Sequence, residues 1–323
     1  MIDLSIIIVN WNSANYIRKC ISSIYENTKG IDFEIVVVDN ASYDECESIL
    51  KSEFPHVIFV QSTRNIGFAK ANNLGFKYSF GETLLFLNPD TEIIGPALNQ
   101  MLSFLQSTPD AGAVGCKLLN SDLSLQTSCI QPYPTILNQV LDIEYLKLRC
   151  PKLKLWGIWP LFHNNGNPEE IEVVSGACIM IKRNTFDKVE QFSTDYFMYT
   201  EDIDLCYKIN QAGYKIYYID DANIIHHGGG STKNKPEKHF SVVLMRESIY
   251  KFIAKTRGAP IATFYKLAMS TASLGRMLLI ITLLPWAVLV GNSHSLYRAF
   301  DKWKKIFRWS IGLETWAKKL THN

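Results

Sequence analysis

The sequence predicts an α/β protein, a sheet of buried parallel strands covered by helices, followed by a helical extension of different composition. Three observations carry that prediction. Short apolar runs without polar alternation occur at residues 4–9 (LSIIIV), 33–38 (FEIVVV) and 84–87 (LLFL), the pattern of strands covered on both faces. Segments with helical spacing of apolar residues separate them, as right-handed crossovers between parallel strands require. The third observation is a change of charge. From Lys233 onward the chain carries sixteen basic and four acidic residues, whereas the preceding 232 carry seventeen basic and twenty-seven acidic.

The first strand ends at Asn10-Trp11-Asn12, and Ile17, Cys20, Ile21 and Ile24 share one face of the helix that follows. The second ends at Asp39-Asn40-Ala41-Ser42, with Ser42 expected to cap a helix that repeats Cys46, Ile49 and Leu50. Residues 57–60 make a third strand, and residues 65–78 a Gly/Asn-bearing turn running into a helix. The run at 84–87 halts at Asn88-Pro89-Asp90, because proline cannot donate to a strand ladder. Asn10, Asp39 and Asp90 are therefore expected along one rim, at the carboxyl ends of the strands, where open α/β sheets bind ligands. Asn-Pro-Asp alone is equally good turn chemistry; three polar endings in register make a site. A carboxylate there suits a divalent cation carrying phosphates. GxGxxG after the first strand and GxxxxGK[ST] are both absent, which excludes those two ways of holding a nucleotide.

A chain of 323 residues allows one large domain with an appendage, expected at residues 1–240 and 241–323. Seven scattered cysteines, never in a CxxC pair, read as reduced thiols of a cytosolic protein, neither a disulfide framework nor a zinc site. No basic n-region or small-residue cleavage site opens the sequence, so no signal peptide is expected. An acidic body with a basic tail points to an anionic surface, and the tail's apolar content favours a membrane over nucleic acid. Residues 261–290 are mostly apolar but interrupted by Lys266 and Arg276; the longest uncharged stretch, 277–294, barely reaches spanning length and contains Pro285. Residues 297–319 set Trp303, Ile306, Phe307, Trp309, Ile311 and Trp316 among lysines and arginines, the composition of an interfacial amphipathic helix. A peripheral or re-entrant attachment is expected, with a helical subdomain packed on the core or on a second subunit as the competing reading.

Farther along, Glu201, Asp202 and Asp204 fall in the first turn of a helix marked by Leu205, Cys206 and Ile209 and stopped by Gly213. Acidic residues are ordinary at a helix start. A histidine is more often a core residue than a ligand, but His226-His227 precede three glycines whose backbone can fold over phosphates.

Taken together, VNWNS (9–13), VVDNAS (37–42), NIGFAKANNLG (65–75), LFLNPDT (85–91), SGACIMIKR (175–183), YTEDIDLCYK (199–208) and HHGGGST (226–232) resemble, in order and spacing, a family-2 inverting glycosyltransferase. The similarity is greatest to the branch containing bacterial rhamnosyltransferases of polysaccharide assembly, and it covers residues 4–232. The resemblance implies a GT-A fold and a nucleotide-diphospho-sugar donor, dTDP- or UDP-linked, with rhamnose as the expected sugar. It implies that Asp39, with Asn10 close by, reads the base, that Asn65, Gly67 and Asn88 line the nucleotide and diphosphate, and that Asp90 and His226 hold Mg2+ or Mn2+. Most relatives have Asp-x-Asp where this chain has Asn88, and an amide is the weaker ligand. Asp202 would be the general base, with Glu201 shaping the acceptor site and Asp204 structural. The implied acceptor is a glycan or polyprenyl-linked hydroxyl, met on the cytoplasmic face of the cell membrane through the basic tail, with a homodimer in prospect and no nucleic acid. The rival readings are a sugar-phosphate nucleotidyltransferase and a non-catalytic, membrane-docked nucleotide-sugar binder.

Overall fold

The computed structural model describes residues 2–142, 144–163, 166–228, 240–289 and 293–320. Its strands are β1 (Leu4–Asn10), β2 (Phe33–Asp39), β3 (Ile58–Gln61), β4 (Thr83–Leu87), β5 (Thr91–Ile94), β6 (Ala111–Leu119), β7 (Ile130–Gln131), β8 (Glu169–Ile171), β9 (Val173–Val174), β10 (Cys178–Lys182) and β11 (Lys215–His226). Its helices are α1 (Ala14–Asn27), α2 (Cys46–Glu53), α3 (Phe68–Phe76), α4 (Ala97–Ser107), α5 (Ile136–Val140), α6 (Glu144–Arg149), α7 (Arg183–Lys188), α8 (Glu201–Gln211), α9 (Phe240–Arg257), α10 (Ala259–Leu289), α11 (Ser293–Ser310) and α12 (Trp316–Leu320). They group into two compact units: Met1–Tyr133, Glu144–Thr194 and Glu201–Asn234 form the first, and Pro134–Ile143, Asp195–Thr200 and Lys235–Asn323 the second.

The first unit is built on a sheet in the order β3-β2-β1-β4-β10-β6-β11-β5, with β8 paired to β11. Every residue of β1 and β4 is buried, as their unbroken apolar runs require. β1 is parallel to β2 and β4, and β2 to β3, and the register sets Asn10 opposite Asp39 and Asp39 opposite Gln61. The amphipathic face of α1 is buried through Ile17, Cys20, Ile21 and Ile24. The all-parallel expectation holds only for this half. β10 runs antiparallel between β4 and β6, and β5 antiparallel to β11. A buried apolar run is the same read in either direction, so composition could not reveal the reversal. β11 runs from Lys215 to His226, so that histidine closes a strand.

In the second unit α10 is one continuous helix that includes Pro285, and it is long and apolar enough to cross a membrane. The two cations that interrupt its sequence are turned inward. Lys266 Nζ lies 4.2 Å from the ring centroid of Tyr250 and 5.1 Å from that of Trp309, while the Arg276 guanidinium lies 4.1 Å from that of Trp303. Arg276 also donates to the Val140 carbonyl at 2.8 Å. The opposite face of α10 exposes Ile261, Phe264, Leu278, Leu279, Trp286 and Leu289. The expected amphipathic helix at 297–319 is instead two helices, α11 and α12, separated by Gly312 at a φ of +84°. Trp303, Ile306 and Trp309 of α11 are buried, and Trp309 Nε1 donates to Glu247 at 2.8 Å. The apolar stripe of α11 therefore belongs to the interior of the unit, and the exposed apolar face is that of α10.

Candidate active site

The ends of β1 and β2 are joined by one polar network. Asn10 Nδ2 donates to Asp39 Oδ1 at 2.9 Å and to Asp44 Oδ1 at 3.0 Å. Asp39 Oδ2 accepts the backbone N–H groups of Ser42 (3.1 Å) and Tyr43 (3.4 Å) and the Gln61 side-chain N–H at 2.8 Å. Asn10 and Asp39 are both buried. Ser42 does not cap α2. Its hydroxyl accepts the Asn12 N–H, and Asp44 takes the N–H of Cys46 at the helix start. α2 begins at Cys46, the first residue of its apolar repeat, too far along the chain for Ser42 to cap it. Asn12, Ala41 and Tyr43 all have φ near +55°, left-handed backbone that concentrates where a rim is shaped for function.

The neighbouring turn is held by Asn40, which sequence reading left without a role. Its Oδ1 accepts Ile66 N–H at 2.9 Å and its Nδ2 donates to Asn65 Oδ1 at 3.1 Å, while Asn65 Oδ1 accepts Gly67 N–H at 3.0 Å. Gly67, at a φ of +83°, precedes the N-terminus of α3, a conformation that side-chain-bearing residues rarely adopt.

At the end of β4, Asn88, Asp90 and His226 meet. His226 Nε2 lies 3.3 Å from Asp90 Oδ1 and 3.3 Å from Asn88 Nδ2. The other ring nitrogen, Nδ1, lies 2.7 Å from Gln126 Oε1. β11 pairs with β5 so that His226 stands opposite Thr91, and His227 N–H donates to the Asp90 carbonyl at 2.9 Å. His227 has different partners. Its Nε2 meets Glu92 Oε1 at 2.7 Å and its Nδ1 meets Ser121 Oγ at 2.8 Å. Behind Asp90 lies the buried Cys20, whose thiol burial pushes up to about 12, leaving it protonated and inert. Among the described residues no cluster of three His, Cys, Asp or Glu side chains is placed to hold a metal. The carboxylate of Asp90 and the imidazole of His226 are donor types that fit a cation delivered with a diphosphate. The glycines after Gly228 lie outside the described residues.

Asp202 joins this rim through backbone. Asn88 N–H donates to the Ala177 carbonyl at 2.9 Å, and the preceding Gly176 N–H donates to Asp202 Oδ2 at 3.0 Å. Asp202 Oδ1 accepts its neighbour Ile203 N–H at 2.8 Å. A Cβ at position 176 would stand 3.3 Å from the Asp202 Cβ, so glycine permits this approach. Asp202 is half-buried as a residue, and the protein packed around its carboxylate raises its pKa above the usual aspartate range, against the opposing pull of the N–H donors. Immediately before α8, Tyr199 and Thr200 have φ of +69° and +74°; for β-branched Thr200 this is strained backbone. Glu201 is buried, and the buried Asp204 accepts a hydrogen bond from Ser193. The arrangement thus brings an Asp–His pair and a carboxylate of raised pKa to one rim.

Comparison with known proteins agrees with this chemistry. The Haloferax volcanii low-salt glycan biosynthesis hexosyltransferase Agl10 is 28% identical over 69% of this chain and 67% of its own length. A Mycobacterium tuberculosis N-acetylglucosaminyl-diphospho-decaprenol L-rhamnosyltransferase is 25% identical over 78% of this chain and 84% of its own. The Escherichia coli rhamnosyltransferase WbbL is 24% identical, with coverage of 78% and 93%. Among solved structures, a Pyrobaculum calidifontis mannosyltransferase in complex with GDP-Man and Mn2+ superposes with a TM-score of 0.60 at 18% identity, covering 96% of this chain and 86% of that one, which establishes the GT-A type of fold. The sequence pattern of Glycosyl transferase family 2 matches residues 5–189, more than half of the chain, and this protein belongs to that family.

Proposed function

We propose that this family-2 glycosyltransferase moves a sugar, with rhamnose the leading candidate, from a dTDP- or UDP-linked donor to a hydroxyl of a glycan or polyprenyl-linked acceptor, with inversion at the anomeric carbon. The observation that carries the proposal is the meeting of Asp90 and His226 beside Asn88, whose N–H binds the Ala177 carbonyl next to the glycine that holds Asp202. Asp90 and His226 would hold a divalent cation, and the imidazole nitrogen favours Mn2+ over the strictly oxygen-seeking Mg2+. Bound there, the cation supplies Lewis-acid stabilisation of the departing diphosphate. Asp202 takes the proton of the acceptor hydroxyl as its oxygen bonds to the anomeric carbon; the bond from that carbon to the diphosphate oxygen breaks, and the electron pair leaves with the nucleoside diphosphate. The raised pKa makes Asp202 a stronger base than an ordinary aspartate. On the nucleotide side the base lies against Asn10 and Asp39, its imide N–H taking the place that the exposed Gln61 side chain holds on Asp39 Oδ2. Asn65 and Gly67 form the neighbouring wall, and Glu201 supports the acceptor side.

The decaprenol-linked acceptor that the Mycobacterium tuberculosis relative is named for and the exposed apolar face of α10 support work at a membrane, for which the cytoplasmic face is our reading. Because α11 packs along α10 and carries Arg298, Lys302, Lys304, Lys305 and Arg308, the helix lies in the lipid interface rather than crossing it.

Asp202→Asn tests the chemistry. Transfer is expected to fall by about 10²–10⁴-fold while donor binding by calorimetry persists; undiminished turnover would refute the assignment.

A further inference from the structure

We infer that Gln126 is the positioning residue that makes His226 fit to be a ligand: its side-chain oxygen takes the Nδ1–H and turns the Nε2 lone pair toward Asp90. The inference rests on the reading of Asp90 and His226 as the cation-holding pair, and it names what selects His226 for that task.

The orientation of the Gln126 amide is fixed independently of the histidine. Its Nε2 donates to Asn120 Oδ1 at 3.0 Å and to the His226 carbonyl at 3.4 Å. Asn120 is itself oriented, since its Nδ2 donates to Ser124 Oγ at 2.9 Å and so leaves its oxygen for Gln126. The Gln126 backbone N–H is tied to the Leu118 carbonyl at 2.9 Å, near the end of β6. A flipped Gln126 would set its oxygen against two acceptors, Asn120 Oδ1 and the His226 carbonyl. One orientation satisfies the whole chain, and it leaves Oε1 facing Nδ1 at 2.7 Å.

His227 supplies the contrast. Both of its ring nitrogens are engaged, one by the Glu92 carboxylate and one by the Ser121 hydroxyl, so it has no nitrogen turned toward Asp90. Asn88 Nδ2, 3.3 Å from Nε2, donates to the same lone pair.

The test has two readouts on the full-length chain. Long-range ¹H–¹⁵N correlation spectra of the metal-free protein, with the His226 ring assigned by its loss in His226→Gln, should show Nδ1 protonated and Nε2 bare. The opposite tautomer in the wild type overturns the inference without any variant being made. In Gln126→Leu the bias should disappear, and Mn2+ affinity measured by electron paramagnetic resonance with UDP present should fall about 10–100-fold, as for other outer partners of metal-ligating histidines. Ser121→Ala, which alters only the His227 clamp, should leave Mn2+ affinity unchanged. A Gln126→Leu protein that keeps the tautomer, or loses it with wild-type Mn2+ affinity, refutes the role. If the wild type binds no Mn2+ with UDP, the cation reading of the site fails, while the spectra still judge whether Gln126 sets the tautomer.

Discussion

The two ends of the rim use their carboxylates in opposite ways. Asp39 has both oxygens committed, one to Asn10 and the other to Ser42, Tyr43 and Gln61. Asp90 Oδ1 stands 3.3 Å from His226 Nε2, and Gln126 meets the same ring from its other nitrogen. The difference teaches that position at a strand end does not fix a residue's work. Asp39 holds its loop through every one of these bonds and can take another donor only where Gln61 gives way, whereas Asp90 stands against the ring of a histidine from a distant strand.

Three substitutions can break or sharpen that contrast. Asp90→Ala should weaken Mn2+-dependent donor binding by at least about 100-fold, beyond what loss of an outer partner costs, with little change in thermal stability. Isothermal titration with and without Mn2+, alongside a melting curve, reads both; unchanged affinity would count against the ligand role. Asp39→Ala should do the reverse in stability, costing about 3 kcal/mol in chemical denaturation because the Asn10 and backbone donors lose their acceptor. Should Asp39→Ala prove as stable as the wild type, the closed network is not what holds the loop. Gly176→Ala presses a methyl against Asp202 and loosens the donor that lowers its pKa. A base must be ionised to act, and burial already raises this carboxyl, so the acid limb of kcat/KM is expected above the usual aspartate range in the wild type. In Gly176→Ala that limb should move to still higher pH; a shift downward would mean the donor has no such influence.

The smallest effect concerns the thiols. All seven cysteines are free, and only Cys150 is exposed, while burial pushes Cys20, Cys46 and Cys129 up to about 12. Maleimide labelling of the native protein should therefore add one group, at Cys150, without loss of transfer; rapid labelling at Cys20 would show that the wall behind Asp90 opens.

The sequence made legible what depends on periodicity and order. The runs at 4–9, 33–38 and 84–87 gave β1, β2 and β4 because a strand covered on both faces leaves no polar alternation. The halt at Pro89 placed Asn88 and Asp90 at the rim. What escaped depends on contacts between distant segments. Gln126 lies in a Tyr/Trp/Pro-rich stretch with no period to read, and it matters only because β6 and β11 run side by side. Gly176 looks like any turn glycine until Asp202, 26 residues on, packs against it. Asn40 sat inside a recognised motif, but its hold on residues 65–67 is a tertiary fact. The aromatic stripe of α11 was correctly seen as amphipathic and assigned to the wrong neighbour, since a stripe records that something apolar lies opposite and not what it is.

Lys266 and Arg276 carry a consequence for anyone altering this chain. A hydropathy plot treats the pair as blemishes in a greasy stretch, and exchanging both for leucine would improve the score. In the folded unit such an edit would strip the cations from the rings of Tyr250, Trp303 and Trp309 and abandon the Val140 carbonyl. The outer surface, where solvent or lipid is met, would be left as it was. Engineered versions with a cleaner hydrophobic profile should therefore be less robust and no more greasy to the touch.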